Sequence, residues 1–204
     1  MRKEIEKWMA YLSMTLFALQ VVLFLVSWMT AAAIPMSPVR SLLSAEGVRW
    51  FFGTFADNLS NQFLLNIVLL GIAMGAARTG GLLSLIRERH FASYRQRFAV
   101  QMVILELIVI VAVMLLLTAT PQAILLSATG NLFPSCFSDS IIPVSLISLC
   151  LFSVTYGVAS GTYRSFPDVY QGLTASFPLF VPLLLLYILA VELYYSFCFV
   201  YLPD

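Results

Sequence analysis

Charge is what this sequence has least of. Only 10% of its 204 residues are Asp, Glu, Lys or Arg, against about 25% in an ordinary globular domain. So little charge leaves scant room for a domain outside a membrane. Basic and acidic residues nearly cancel, at a formal +1, so no basic excess points to nucleic acid. Histidine is almost missing. His90 stands alone among arginines, reads as a loop residue, and argues against a histidine-based metal or catalytic site. Cysteine is sparse too. Cys136, Cys150 and Cys198 are far apart and form no CxxC, so they read as buried apolar residues rather than a disulfide or metal set. There is no nucleophile–base pair, no metal-ligand cluster and no phosphate-binding glycine loop; Gly161-Thr162-Tyr163-Arg164-Ser165 lacks P-loop spacing. The residues give no basis for reading an enzyme.

What the chain has is apolar length. Hydrophobic residues make up 61%, and the mean hydropathy is +0.94. A helix needs about 20 mostly apolar residues to cross the hydrocarbon core. On that rule the sequence predicts an all-α integral membrane protein, a single transmembrane domain over 1–204 with about five spans at 9–34, 62–79, 98–118, 141–160 and 176–201. The first run ends in Ala31-Ala32-Ala33, as a signal peptide does, but it is longer than the roughly 7–15 residues of a signal h-region. An uncleaved first span is expected.

Positive charge then predicts orientation. Arg2, Lys3 and Lys7 precede the first span. Arg87, Arg89, Arg95 and Arg97 follow the second, with Arg78 at its edge, and Arg164 follows the fourth. Placing these inside leaves only Arg40 and Arg49 on the other face. The N-terminus is therefore expected in the cytoplasm and the C-terminus outside. The arginine cluster could also hold anionic lipid, although topology alone accounts for it.

Two segments fit no simple span. Residues 36–57 interleave Val39, Leu42, Leu43, Trp50 and Phe51 with polar residues, as an interfacial helix or a re-entrant element does. Residues 119–140 are apolar but broken by Pro121, Gly130 and Pro134. Irregular backbone at membrane depth must be buried in protein or line a wet cavity, and transporters build sites from such segments. A short hairpin resting on the bilayer is the alternative.

Few residues carry chemistry. Glu106 and Glu192 interrupt the third and fifth spans. A charge at mid-bilayer costs about 2.5–3.5 kcal/mol even on the lenient scale, so each is a candidate proton or cation relay. The plainer reading is a protonated glutamate hydrogen-bonded to a neighbouring helix or subunit. They are expected at different depths, about 12 and 24 Å from the inner ends of their spans by helical rise. Asp139, flanked by Ser138 and Ser140, suits a hard cation held through oxygen or a solvent-exposed helix cap. Gly71 with Gly75, and Gly157 with Gly161, are small-xxx-small pairs expected to let helices approach closely. Tyr194, Tyr195 and Tyr201 fit an interfacial aromatic belt.

One stretch is more specific. It runs Leu43-Ser44-Ala45-Glu46-Gly47-Val48-Arg49-Trp50, then Asn58, then Ile67-Val68-Leu69-Leu70 and Gly75-Ala76-Ala77-Arg78-Thr79-Gly80-Gly81-Leu82. It resembles the early region of the AbgT (p-aminobenzoyl-glutamate) transporter family. Ser138-Asp139 before Ile141-Ile142-Pro143 is similar to that family's Ser-Asp-Ala segment, whose aspartate is linked to cation coupling. The family's Pro-Leu-Gly is replaced here by Phe63-Leu64-Leu65, and its glutamate by Arg78. The resemblance implies a secondary transporter of the bacterial inner membrane, coupled to sodium or protons. Its cargo would be a small anionic solute, with Asn58, Asp139 and Ser138 at the site and Glu106 or Glu192 assisting. Family members carry inverted repeats and two re-entrant hairpins, whereas this chain has length for about one repeat. A homo-oligomer or a partner membrane subunit is therefore implied. A non-transporting accessory or scaffold protein, reduced from a transporter, fits the same hydropathy.

Overall fold

The computed structural model describes residues 2–34, 38–88, 93–119 and 136–202. Among them the fold is all-helical, with no strand. The helices are α1 (Arg2–Ala33), α2 (Ala45–Leu59), α3 (Gln62–Thr79), α4 (Leu82–Glu88), α5 (Tyr94–Ala119), α6 (Cys136–Ser160), α7 (Phe166–Thr174) and α8 (Phe177–Tyr201). Five stretches are long and apolar enough to cross a bilayer: Glu6–Ala33, Gln62–Thr79, Tyr94–Thr118, Phe137–Ser160 and Phe166–Tyr201. The chain is a multi-pass all-α membrane protein.

The spans sit where hydropathy put them, but several helices start earlier. Charged and small polar residues at a span's edge look like loop in sequence. In the fold they supply the first turn, whose free N–H groups polar side chains and water can satisfy. So Arg95 and Arg97 lie in α5, and Ser138 and Asp139 lie in the first turn of α6. Among the described residues, the amphipathic stretch 36–57 is helical from Ala45. Ser44 stops the helix there by accepting the Gly47 N–H on its Oγ at 3.0 Å. Most of the broken stretch 119–140, from 120 to 135, lies outside the described residues.

Contacts divide the chain into two compact units. Unit 1 takes 1–64 and 179–204, and unit 2 the continuous stretch 65–178. In unit 1, residues 38–44 form a strap across α1 and α8. The Arg40 N–H donates to the Val200 carbonyl at 3.1 Å, and the Leu42 N–H donates to Ser27 Oγ at 3.2 Å. These bonds satisfy backbone that has left the helix, as a membrane interior requires. Leu42 is fully buried with Leu23, Phe199 and Val200. Trp50 of α2 stacks on Phe199, ring centroids 4.4 Å apart. Gly47 leaves no choice of residue: a Cβ there would collide with the backbone of Ser41 and Leu42.

In unit 2, α5 packs along α6, with Leu82, Ala99 and Tyr156 at the core. The glycines do specific work here. Gly75 lies against the backbone of Gly172 and Leu173, and Gly157 against the ring of Tyr163. A Cβ on Gly172 would strike the Tyr163 hydroxyl. That hydroxyl is well partnered, 2.8 Å from Thr79 Oγ1 and donating to the Ala76 carbonyl at 3.3 Å. Gly71 is buried on α3. Gly161, expected to pack helices, instead ends α6 in the left-handed conformation at φ 83°, where glycine alone is unstrained.

Candidate functional site

Glu192 is the carboxylate the fold encloses. It lies fifteen residues into α8 and is only 5% exposed. Apolar helix on either side would normally face lipid. Here the Glu192 face turns into unit 1, because Ser196, one turn later, points the same way and is also fully buried. From α1, Gln20 Nε2 donates to Ser196 Oγ at 2.8 Å. From α2, Asn58 lies beside the Glu192 carboxylate. The Asn58 side chain is itself buried and gives a long 3.5 Å bond to Thr54 Oγ1. Three helices therefore contribute one polar cluster within the membrane-spanning part of unit 1.

The cluster is under-bonded. Neither carboxylate oxygen has a protein hydrogen-bond partner among the described residues. Gln20 Oε1 is likewise buried without one. Each such atom costs about 1–3 kcal/mol. Every side chain in the cluster is neutral except Glu192, so an ionised carboxylate there would stand uncompensated. A proton removes the charge. A hard cation would also compensate it, and the available donors are all oxygens: the carboxylate, the two amide oxygens and the Ser196 hydroxyl.

The other candidates lie in unit 2 and are less enclosed. Glu106 sits half-buried on α5, its Oε2 also without a partner. Asp139 is exposed, 3.4 Å from the Ser138 hydroxyl. Its place in the first turn of α6 suits a carboxylate facing a helix N-terminus. Of the residues singled out in sequence, the fold joins Asn58 to Glu192. Gln20 and Ser196 were missed. The signal for Ser196 was its spacing four residues after Glu192, and for Gln20 a polar side chain midway along an apolar run.

Two clefts of unit 1 lie beside the cluster on other faces of α8. One, of about 390 Å³, is lined by Arg40, Glu46, Arg49, Trp50, Tyr195 and Phe199, among others. The other, of about 500 Å³, is an apolar groove between Leu16–Val26 and Ala190–Tyr201. No group of three or more His, Cys, Asp or Glu side chains gathers as a metal site among the described residues. Cys150 and Cys198 are free thiols. No family model matches the chain, and neither a curated protein nor a solved structure matches it.

Proposed function

We propose that this is a transport protein of the bacterial inner membrane, related to the AbgT family through its Ser44–Arg89 stretch. It moves a small anionic solute such as p-aminobenzoyl-glutamate, coupled to a proton or a sodium ion carried at Glu192. The observation that supports this most is the enclosed, under-bonded Glu192 carboxylate beside Asn58. Asn58 belongs to the stretch that carries the resemblance, and Glu192 is the group it meets. A buried carboxylate with unmet bonds is costly to keep unless binding and release of a cation make use of it.

In this reading the loaded state has a proton or cation at Glu192, which removes its charge. Unloading leaves a charge that the neutral cluster does not balance, so the protomer must open before it empties. This ties ion release to a change of conformation. The positive residues support a cytoplasmic N-terminus and an outside C-terminus, with nine of the eleven Lys and Arg residues inside. The pathway would be completed by a second copy or a partner subunit, since the face of α5 turned away from α6 carries exposed apolar side chains, among them Ile104, Leu105, Ile108 and Val111.

The test is uptake of p-aminobenzoyl-glutamate into proteoliposomes under proton and sodium gradients. Glu192→Gln, which keeps shape and loses the exchangeable charge, is expected to cut coupled uptake about tenfold or more, as the loss of one ionic contact does. Asp139→Asn is expected to leave it intact. The reverse pattern would move the coupling site to Asp139. No uptake by folded wild-type protein for any anion tried would sink the transport reading.

One observation favours a second reading. The two clefts described above are lined by residues other than Glu192, Asn58, Ser196 and Gln20, so the cluster lies off both. A non-transporting accessory or scaffold protein, in which the cluster is a packing feature, has that arrangement. Recovery of wild-type protein in a stable complex with a second membrane protein, retained on Glu192→Gln, would favour it.

A further inference from the structure

The cleft at the C-terminal end of α8 has a charge pattern that the Glu192 cluster does not use. Arg40 and Arg49 line it, and neither forms an ion pair among the described residues. Arg40 is held in place from two directions. Its backbone N–H bonds the Val200 carbonyl at 3.1 Å, and its guanidinium lies 5.6 Å over the Phe199 ring. Arg49 stands in the second turn of α2, next to Trp50, which is fixed by its stack on Phe199. Two guanidiniums thus line one cleft, neither in an ion pair among the described residues. The remaining walls are aromatic or apolar: Trp50, Tyr195 and Phe199, with Leu202 at the rim.

Position narrows the ligand. The membrane-spanning stretch ends at Tyr201, so residues 195–202 lie where hydrocarbon gives way to headgroups. Tyr and Trp are placed at that depth by their amphipathic rings. Arginine matches phosphate oxygens with paired N–H donors and is weakly hydrated. Charge narrows the ligand again. Glu46 also lines the cleft, so two cations and one anion leave it a single positive charge. One negative charge neutralises it, and a doubly charged phosphate monoester would overshoot.

We propose that this cleft binds the phosphodiester of an anionic phospholipid. The phosphate sits between Arg40 and Arg49, and the acyl chains leave along the apolar rim. The site is independent of whether the protein moves a solute, because it asks only that unit 1 sit in a bilayer containing such a lipid.

The test is native mass spectrometry of the full chain in neutral detergent, titrated with phosphatidylglycerol. Phosphatidylcholine and glycerophosphoglycerol, the same headgroup without chains, are run in parallel. Phosphatidylglycerol is expected to bind best. The double variant Arg40→Gln/Arg49→Gln should weaken it about tenfold or more, as loss of charge-assisted bonds does. Arg164→Gln, in unit 2, should not. Glu46→Gln raises the cleft by one charge and is expected to tighten binding, so the idea stays testable if the double variant fails to fold. Unchanged lipid binding in the double variant, or weaker binding in Glu46→Gln, overturns the site. Equal binding of phosphatidylcholine overturns the preference for an anion. Equal binding of the chain-free headgroup overturns the assignment to a lipid.

Discussion

Tyr163 and Glu192 are both polar side chains buried in a membrane protein, and they are treated in opposite ways. Tyr163, in unit 2, fills a hole built for it. Gly157 and Gly172 leave room for its ring and hydroxyl, and the hydroxyl meets Thr79 Oγ1 and the Ala76 carbonyl. Glu192, in unit 1, is surrounded by polar side chains and still has no bond of good geometry on either oxygen. A satisfied buried polar group rigidifies the packing around it, while an unsatisfied one is costly and calls for an explanation. The first pattern is that of a structural pin, and the second that of a group whose partner comes and goes.

The largest expected effect is on the pin. Tyr163→Ala empties the hole and removes both hydroxyl contacts, and should cost about 3–5 kcal/mol, as other large-to-alanine changes in a core do. Thermal unfolding in detergent measures it, and a cost near zero would mean the glycines fit nothing. Next comes Glu192→Leu. Removing unmet oxygens should raise stability by about 1–3 kcal/mol, while coupled uptake falls to background under the transport proposal. A loss of stability instead would place Glu192 with Tyr163 as a structural group and erase the contrast. Tyr163→Phe, which keeps the ring and drops the two bonds, should cost about 1 kcal/mol. The smallest effect is expected at Glu106→Gln, within about 0.5 kcal/mol, because that side chain is only half enclosed. A markedly larger change, seen only at high protein concentration, would show that a second chain covers it.

The helices themselves were legible because apolar length leaves few alternatives in a bilayer. Glu192 was legible too, since a carboxylate between Val191 and Leu193 has no cheap place in lipid. Its surroundings were not. Gln20, Asn58 and Ser196 come from three helices far apart in the chain, and only packing brings them to one point. Asn58 was singled out by its place in a resembling stretch, not by any sign of what it meets. Asp139 was legible only as a choice. Its serine neighbours suited a hard cation or a solvent-exposed helix cap, and the fold places it exposed in the first turn of α6. The hole for Tyr163 was hidden for a different reason. Spacing identified Gly157 as a site of close approach, but the residue that approaches comes from six positions further along the same chain, past the turn at Gly161. Small-residue spacing says that something comes near and does not say what.

The order in which the two units can be completed follows from the chain's path. Unit 2 is continuous, so all of it is synthesised before residues 179–201 of α8. Unit 1 is not: α1, the strap and α2 emerge early, yet their partner surface on Leu193, Phe199 and Val200 arrives late. During that interval Gln20 and Asn58 sit in the membrane without Ser196 and Glu192, and the strap lacks the Val200 carbonyl that receives the Arg40 N–H. Synthesis therefore passes through a half-built stage in which the early segment is open to insertion helpers and to quality-control proteases. A stalled chain ending before residue 179 should be degraded from its N-terminal part while the 65–178 stretch persists.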